Sequence, residues 1–330
     1  MPIKLKKETS SGVYTKEDVE AREPYEIVSH SVTQLSMALR CPRQRFFRYR
    51  IGLKIPPGGA MIIGRGVHKG AEMSLKKKQK TGKLLKDSDA KDICVEYTRK
   101  VLKEEPWDGE ANAGDLIDDS AVMMDVWQEK VGPKKKPLHP ESDEWPKLVK
   151  SWEKVKHIDF LKEADEEEEI KADHDRKEEP FTGIEAGFTI KLPGVDHPVS
   201  GFIDVIEQLG GNRVEVTDTK TSGKRKSELD LRTYQLWLYG LVCRAIGLKP
   251  VRLKYDVIIR PRPKLPGGDY QPLSIQVGDD TPYKHVVAAF RYLEKMDADG
   301  SYPPNYGQHC SWCGYRDLCD KVSSVKTFAA

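Results

Sequence analysis

The chain has 330 residues, of which 38% are hydrophobic and 32% charged, and its formal net charge at neutral pH is +3. This composition is typical of a soluble globular protein, with enough residues for one large domain or for a domain with a substantial insertion. No apolar run approaches the roughly 20 residues that a membrane-spanning helix needs, and the basic N-terminus lacks the apolar stretch of a secretory signal. We therefore expect a cytoplasmic protein whose six cysteines are thiols or metal ligands.

The charges are distributed unevenly along the chain. Residues 31–83 contain thirteen Lys or Arg residues and a single acid. Phe46 and Phe47 lie among these arginines, and interleaved basic and aromatic side chains are typical of surfaces that bind nucleic acid. We therefore expect the segment 40–54 to line a path for DNA. The acidic stretch 161–180 is interpreted as an exposed helix or loop that binds no partner.

The N-terminal half of the chain is predicted to be mainly helical. Residues 1–29 are polar and contain Gly and Pro, which indicates an arm with little fixed structure. A helix is expected from about Thr33 to Cys41 and another from about Ile62, both within a segment that ends near residue 84. Residues 85–182 are predicted to form a charged helical insertion, with helices over 90–102, 116–131 and 145–161 and a linker over 132–142.

Strand-like alternation begins after Gly183. Short β-branched runs predict strands over 185–192, 199–209, 213–221 and 251–260, with helices over 227–246 and 281–296. The core is expected to cover residues 183–300 and a cysteine-rich tail residues 301–330. This order predicts an α/β fold, in which a mixed central sheet is flanked by helices.

Two acidic residues on neighbouring predicted strands indicate a metal site. The strand period of two places Asp218 and Lys220 on one face, and Asp204 lies within an apolar run. An ionised carboxylate in such a run is costly unless it is paired or binds a metal. Two aspartates can share a hard cation such as Mg²⁺, and His68 would bias the site toward Mn²⁺. Thus the pattern favours a metal-dependent hydrolase.

The helix after the second of these strands presents Gln235 and Tyr239, four residues apart, on one face. Taken singly, each feature is weak, because a D-x-K triplet occurs often by chance. A lone histidine such as His68 is also an ordinary structural residue in many proteins. The order of the whole set along the chain is what favours a nuclease.

This ordered set resembles the RecB-type branch of the PD-(D/E)XK nucleases. That branch has a G-x-x-x-H helix, a G-x-x-D strand, a D/E-x-K strand and a Q-x-x-x-Y helix, which match Gly64 to His68, Gly201 to Asp204, Asp218 with Lys220, and Gln235 with Tyr239. The resemblance covers roughly residues 31–75 and 185–320. It implies a restriction-endonuclease-like core. It also implies Mg²⁺ or Mn²⁺ held by His68, Asp204, Asp218 and the Thr219 carbonyl, and catalysis by Lys220 beside Gln235 and Tyr239.

Four cysteines form a second constellation. Cys310, Cys313 and Cys319 lie within ten residues of one another, and Cys41 is the favoured fourth ligand because it lies at a helix end among arginines. Cys94 and Cys243 lie within apolar helical patterns, which are typical of small buried side chains. Four thiolates suit zinc or a [4Fe–4S] cluster. A zinc ribbon normally has two C-x₂-C pairs, whereas this chain has one.

The layout of these cysteines is similar to that of iron–sulfur nucleases, namely the AddB-type subunits and the CRISPR-associated adaptation nucleases. The residues around Cys41 also resemble their N-terminal motif. This resemblance implies a [4Fe–4S] cluster that joins the N- and C-terminal segments, with zinc as the alternative. Such a cluster would be structural.

The sequence therefore predicts a metal-dependent DNA nuclease, an exonuclease acting on single-stranded DNA. Replication, recombination or repair is the expected setting, with a phage among the sources considered. No G-x-x-x-x-G-K-[ST] motif is present, so unwinding would require a partner helicase. One alternative is a CRISPR adaptation nuclease that trims prespacers beside integration proteins. Another is a DNA-binding module that does not cut, and an RNA substrate is also open.

Overall fold

The computed structural model describes residues 14–138, 183–278 and 280–322. The first of these ranges is helical. Its helices are Lys16–Glu20 (α1), Val32–Arg40 (α2), Pro42–Arg45 (α3), Gly59–Thr81 (α4), Asp87–Glu104 (α5) and Ala113–Val126 (α6). Short π-helical turns follow at Phe46–Arg50 and Trp127–Val131, and a 3₁₀ turn covers Gly132–Lys134. Among the helices of the described ranges, none is long and apolar enough to cross a membrane.

The remaining ranges contain the sheet and three further helices. The strands are Ile184–Ile190 (β1), Val199–Gln208 (β2), Arg213–Ser222 (β3), Lys249–Ile259 (β4) and Asp269–Gln276 (β5). The helices are Tyr234–Ala245 (α7), Thr281–Ala298 (α8) and Arg316–Lys321 (α9), with 3₁₀ turns at Glu228–Leu231 and Gln308–Trp312. The strands form one sheet in the order β1-β2-β3-β4-β5. Only β3 and β4 are parallel neighbours, and the other pairs are antiparallel. The predicted mixed sheet with helices is thereby confirmed.

Helices cover both faces of the sheet. On one face, Leu238 of α7 and Phe290 of α8 belong to the same apolar cluster as Val216 of β3. On the other face, Val67 of α4 packs in a second cluster with Val205 of β2. Because β3 is central and covered on both sides, its polar side chains are buried unless they lie at the end of the strand.

Residues 14–29 are more ordered than the sequence suggested. They contain α1, whose Val19 is buried, and the Tyr14 hydroxyl donates a hydrogen bond to the Lys54 carbonyl over 2.7 Å. Single contacts of this kind order a polar segment without any apolar periodicity in its sequence. Such a segment is therefore easily predicted to have little fixed structure. Residues 1–13 lie outside the described part of the chain.

The edge strand β5 was also missed. Its side chains alternate between half-buried and exposed, and Pro272 lies in its ladder with β4. Proline is tolerated in an edge strand, where one side makes no ladder hydrogen bonds, so it is misleading as a strand breaker here. The helix expected from residue 227 begins later, at Tyr234, after a 3₁₀ turn. The helix expected over 145–161 lies outside the described residues.

The centre of the basic and aromatic segment after Cys41 is buried, so the expectation that it lines a DNA path is wrong for these side chains. It stays a prediction for the exposed ends and for residues 48–50, which are half-buried. Phe46 and Phe47 are each 1% exposed and Arg45 is 0% exposed. The Arg45 guanidinium donates to both carboxylate oxygens of Asp297 on α8, over 2.5 and 2.7 Å. An arginine that pairs with a distant carboxylate has the same kind of neighbours in sequence as an arginine that binds a phosphate of DNA. The partner therefore cannot be predicted from the neighbouring residues.

We expect Asp297→Ala to lower the free energy of unfolding by about 3–5 kcal/mol, because it leaves the buried Arg45 charge unpaired. Asp299→Ala removes an exposed acid from the same end of α8 and is expected to change stability by less than about 0.5 kcal/mol. Denaturant unfolding of the two variants measures both effects. Equal stabilities would show that the Arg45–Asp297 pair does not hold α3 to α8.

The predicted linker over 132–142 is anchored where the structure describes it. The Lys135 side chain is 2% exposed, and its Nζ lies 2.5 Å from Glu207 Oε2 and 2.6 Å from Asp256 Oδ2. A buried ammonium between two carboxylates is paired, so its charge is compensated. This contact fixes the end of the helical region to β2 and β4.

Candidate active site

Two glycines allow close packing around the end of the sheet. A Cβ atom on Gly64 would lie 2.9 Å from the Thr221 hydroxyl, and one on Gly201 would lie 2.8 Å from the Phe188 ring. The absence of a side chain at Gly64 lets α4 lie against the end of β3. His68 follows one helical turn later and therefore points at this end of the sheet.

His68 lies between the two predicted aspartate strands. Its Nε2 is 2.8 Å from the Thr219 carbonyl oxygen, and its Nδ1 is 3.4 Å from Asp204 Oδ2. The Thr219 backbone N–H donates to the same Asp204 oxygen over 2.7 Å. Because β2 and β3 are antiparallel neighbours, Asp218 lies beside Asp204. The structure thus places His68, Asp204 and the Thr219 carbonyl in contact. Asp218 is their neighbour, but its carboxylate is not in the group of described ligand atoms that lie within 4.8 Å of one another.

A third carboxylate, that of Glu185 on β1, was missed by the sequence analysis. Its Oε1 lies 3.7 Å from His68 Nδ1, and the ligand atoms of His68, Glu185 and Asp204 all lie within 4.8 Å of one another. Glu185 has a φ angle of 48°, a left-handed conformation that costs an L-residue about 1–2 kcal/mol. Strained backbone of this kind is concentrated at functional sites, but the sequence shows only a glutamate within a strand-like run.

Lys220 is held by the other predicted catalytic residues. Its Nζ lies 2.8 Å from Asp218 Oδ2 and donates to Gln235 Oε1 over 2.9 Å. The amide nitrogen of Gln235 in turn donates to the Tyr239 hydroxyl over 2.8 Å. The Q-x-x-x-Y spacing therefore lets the Gln235 amide form hydrogen bonds with both Lys220 and Tyr239.

The electrostatics of these residues fit a divalent cation. Burial and the neighbouring Asp204 raise the pKa of Asp218 to about 6, and burial also raises the pKa of Asp204. Burial alone would lower the pKa of His68, but Asp204 and Glu185 outweigh it and raise that pKa to about 9. Crowded, buried carboxylates with raised pKa values gain stability from a bound cation. The oxygen-rich ligand set with one imidazole suits Mg²⁺ or Mn²⁺.

Comparisons with known proteins agree with this geometry. A sequence profile of the PD-(D/E)XK nuclease superfamily matches residues 29–320. The chain belongs to this superfamily. Among solved structures, "Crystal structure of SSO0001" is similar, with 14% identity over 92% of each chain and a TM-score of 0.37. A comparison with curated protein sequences finds no significant match.

Because the chain belongs to the PD-(D/E)XK superfamily, its family indicates a metal-dependent nuclease. The match includes every residue of the site from His68 to Tyr239. The roles of individual residues in this nuclease follow from their geometry and are proposals.

The pKa of His68 predicts how metal binding by the nuclease depends on pH. Below about pH 9 the imidazole carries a proton, which must leave before a nitrogen can bind a metal. We expect Mn²⁺ affinity to rise about tenfold per pH unit between about pH 7 and 8.5 because one proton is released. Isothermal titration over this range measures the slope. His68→Gln is expected to flatten it, and equal slopes in the two proteins would exclude His68 as a ligand.

The four cysteines assigned to a cluster line one cavity of about 430 Å³. Cys41 is buried, and Cys310, Cys313 and Cys319 are partly exposed. The Asn305 side chain donates to the Arg40 carbonyl over 2.8 Å, so the two ends of the described chain also meet through hydrogen bonds here. The structure therefore brings together the predicted cysteine set.

The other two cysteines are separate from this cavity. Cys94 and Cys243 are both fully buried, which confirms their interpretation as small core side chains. Burial raises the pKa of Cys94 to about 11 and raises that of Cys243. Neither residue lines the cavity that the other four cysteines share.

Proposed function

We propose that this chain is a metal-dependent deoxyribonuclease that degrades single-stranded DNA from an end. The observation that carries the proposal is the convergence of Lys220 with His68, Asp204 and Asp218 at one end of a PD-(D/E)XK sheet. Replication, recombination or repair of DNA is the proposed setting, with a helicase as the proposed source of unwound strands. Trimming of prespacers beside CRISPR integration proteins is the alternative setting.

His68, Asp204, Asp218 and the Thr219 carbonyl would hold the Mg²⁺ or Mn²⁺ ion, and Glu185 adds a carboxylate within reach of His68. A bound divalent ion would polarise the scissile phosphodiester and lower the pKa of water. The carboxylates supply the negative charge that retains the ion. His68 adds the nitrogen ligand, and its position depends on the approach of α4 at Gly64.

Lys220 acts as a cation in this proposal. Burial alone would lower its pKa, but Asp218 outweighs burial and the pKa is raised. The amine therefore keeps its proton at neutral pH and cannot accept one from water. It can donate a hydrogen bond to the attacking water or to a phosphoryl oxygen, where negative charge grows during the reaction. Gln235 and Asp218 fix the direction of the ammonium.

The cysteine cavity is proposed to hold a [4Fe–4S] cluster on Cys41, Cys310, Cys313 and Cys319. The sulfur atoms of a Cys₄ zinc site lie about 3.8 Å apart, from the 2.3 Å Zn–S bond length. Within the described residues, these cysteines are not among the groups of three or more candidate ligands that approach within 4.8 Å. Wider spacing around a cavity of about 430 Å³ favours the larger cofactor. Its proposed role is to fasten the two ends of the chain together.

If the cluster is structural, its loss should affect folding before chemistry. We expect Cys313→Ala to express poorly and to lack the brown colour and iron of the parent protein. Asp218→Ala should remain soluble and brown but inactive. Iron content and absorbance near 400 nm after anaerobic purification distinguish these outcomes. A stable, brown Cys313→Ala protein would rule out the proposal that a cluster bound by Cys313 is needed for folding.

The proposed function is tested with single-stranded DNA labelled at either the 5′ or the 3′ end. Anaerobically purified protein is incubated with Mg²⁺, with Mn²⁺ or with EDTA. Metal-dependent release of label as short products supports an exonuclease, and the label that is released first gives the polarity. Circular single-stranded DNA has no ends, so its cleavage would reveal endonuclease activity. An RNA of the same sequence tests whether the enzyme distinguishes deoxyribose from ribose. Folded, brown protein that binds DNA but cuts none of these substrates would favour the non-cleaving module.

A further inference from the structure

Tyr255 of β4 is a buried aromatic residue that touches the proposed active site. Its ring centroid lies 5.4 Å from Lys220 Nζ, and the residue is 4% exposed. Asp218 is its partner in the parallel β3–β4 register. A cation within about 6 Å of an aromatic face is attracted by the ring, and the attraction is larger where water is excluded. The ring therefore adds a third contact to the ammonium, besides the Asp218 carboxylate and the Gln235 amide.

The hydroxyl of Tyr255 makes a second connection. It forms a hydrogen bond of 2.7 Å with the Thr233 hydroxyl. Thr233 is the N-cap residue of α7, yet its side chain makes no capping hydrogen bond to the helix. At an N-cap, a threonine hydroxyl ordinarily accepts from a backbone N–H of the first turn. Here the hydroxyl instead fastens the start of α7 to β4.

Gln235 lies two residues after Thr233 and accepts a hydrogen bond from Lys220. The position of Gln235 therefore depends on where α7 begins, and the bond between Tyr255 and Thr233 fixes that point. Tyr255 reaches Lys220 by two routes. Its ring contacts the ammonium directly, and its hydroxyl secures the helix that presents the amide.

We propose that Tyr255 is a positioning residue that aims the Lys220 ammonium at the scissile phosphate through its ring and through Thr233. The inference rests on the proposed nuclease function, because it needs Lys220 to act on the phosphate. A side chain with four rotatable bonds has many positions, and a small displacement of a catalytic group lowers the rate strongly. In this role Tyr255 acts through the lysine, although it also neighbours Asp218 across the β3–β4 ladder.

The test compares Tyr255→Leu, Tyr255→Phe and Thr233→Val by kcat and KM on single-stranded DNA at saturating metal. Removing the ring in Tyr255→Leu should lower kcat about tenfold and leave KM for DNA nearly unchanged, because the cation–ring contact is lost in a buried site. Tyr255→Phe keeps the ring but loses the bond to Thr233, so its kcat should lie between that of Tyr255→Leu and that of the parent protein. Thr233→Val should lie close to Tyr255→Phe, because both remove the same hydrogen bond.

Tyr283→Leu is the matched control. Tyr283 is also a 4% exposed tyrosine of the same core, and its ring also contacts a cation, that of Arg244. Its loss should lower the melting temperature about as much as Tyr255→Leu does, without lowering kcat. If Tyr255→Leu kept the kcat of the parent protein, or if Tyr283→Leu lost as much kcat as Tyr255→Leu, the inference about Tyr255 would be overturned. The proposed nuclease function would still stand. Absence of cleavage by the parent protein would overturn the proposed function, and the inference with it.

Discussion

Lys220→Ala is expected to reduce DNA cleavage by about 10²–10³-fold, the usual effect of removing one preorganised donor from a transition state. The metal ligands remain, so metal affinity should stay close to that of the parent protein. Cleavage rate and Mn²⁺ affinity measured on the same preparation separate the two properties. Lys220 pairs with Asp218 and Gln235, so its loss is local to the site.

Lys224→Ala is the matched control for this prediction. Lys224 lies four residues later, in the loop that follows β3, and is exposed, so it tests whether loss of any nearby positive charge has the same effect. We expect a small rise in KM for DNA and little change in kcat. Equal losses of kcat in Lys220→Ala and Lys224→Ala would show that the lysines act by general attraction of DNA, and would contradict a catalytic role for Lys220.

Asp218→Asn is expected to abolish detectable metal-dependent cleavage while leaving the fold intact. The substitution preserves the shape of the side chain but removes the charge that retains the cation. Because the folded protein raises the pKa of Asp218 to about 6, above its unfolded value, ionisation of this group opposes folding at neutral pH. The melting temperature of metal-free Asp218→Asn should therefore equal or exceed that of the parent.

Cleavage, Mn²⁺ binding and thermal unfolding of this variant are measured together. Arg45 provides the contrast, since loss of its partner Asp297 should destabilise the protein without touching the site. An Asp218→Asn protein that binds Mn²⁺ with parental affinity would remove Asp218 from the ligand set. One that unfolds at a lower temperature would show that the carboxylate is a structural group.

The parts of the site that could be predicted from sequence are those fixed by local periodicity. Strand alternation places Asp218 and Lys220 on one face, and the helical repeat places Gln235 beside Tyr239. Glu185 could not be predicted, because its left-handed φ of 48° brings its carboxylate to the site in a way that regular strand geometry does not indicate. The same limit applies to Tyr255, whose neighbours depend on the β3–β4 register.

The fold was predictable to a similar degree. Buried strands and amphipathic helices carry strong apolar patterns, and these gave the mixed sheet. The edge strand β5 carries only a weak pattern, since three of its eight residues are exposed and the others are half-buried. The partner of the buried Arg45 is Asp297, which is 252 residues away in sequence. Pairing over such a distance leaves no trace in the local composition, so the sequence could not show that Arg45 forms a buried ion pair.

The central claim is that His68, Asp204, Asp218 and the Thr219 carbonyl hold a catalytic divalent ion. Anomalous diffraction from crystals grown with Mn²⁺ tests it most directly. The account predicts one strong manganese peak about 2 Å from each of these four groups, and its absence in Asp218→Asn crystals. Manganese bound elsewhere, with these groups free of metal at saturating Mn²⁺, would contradict the account.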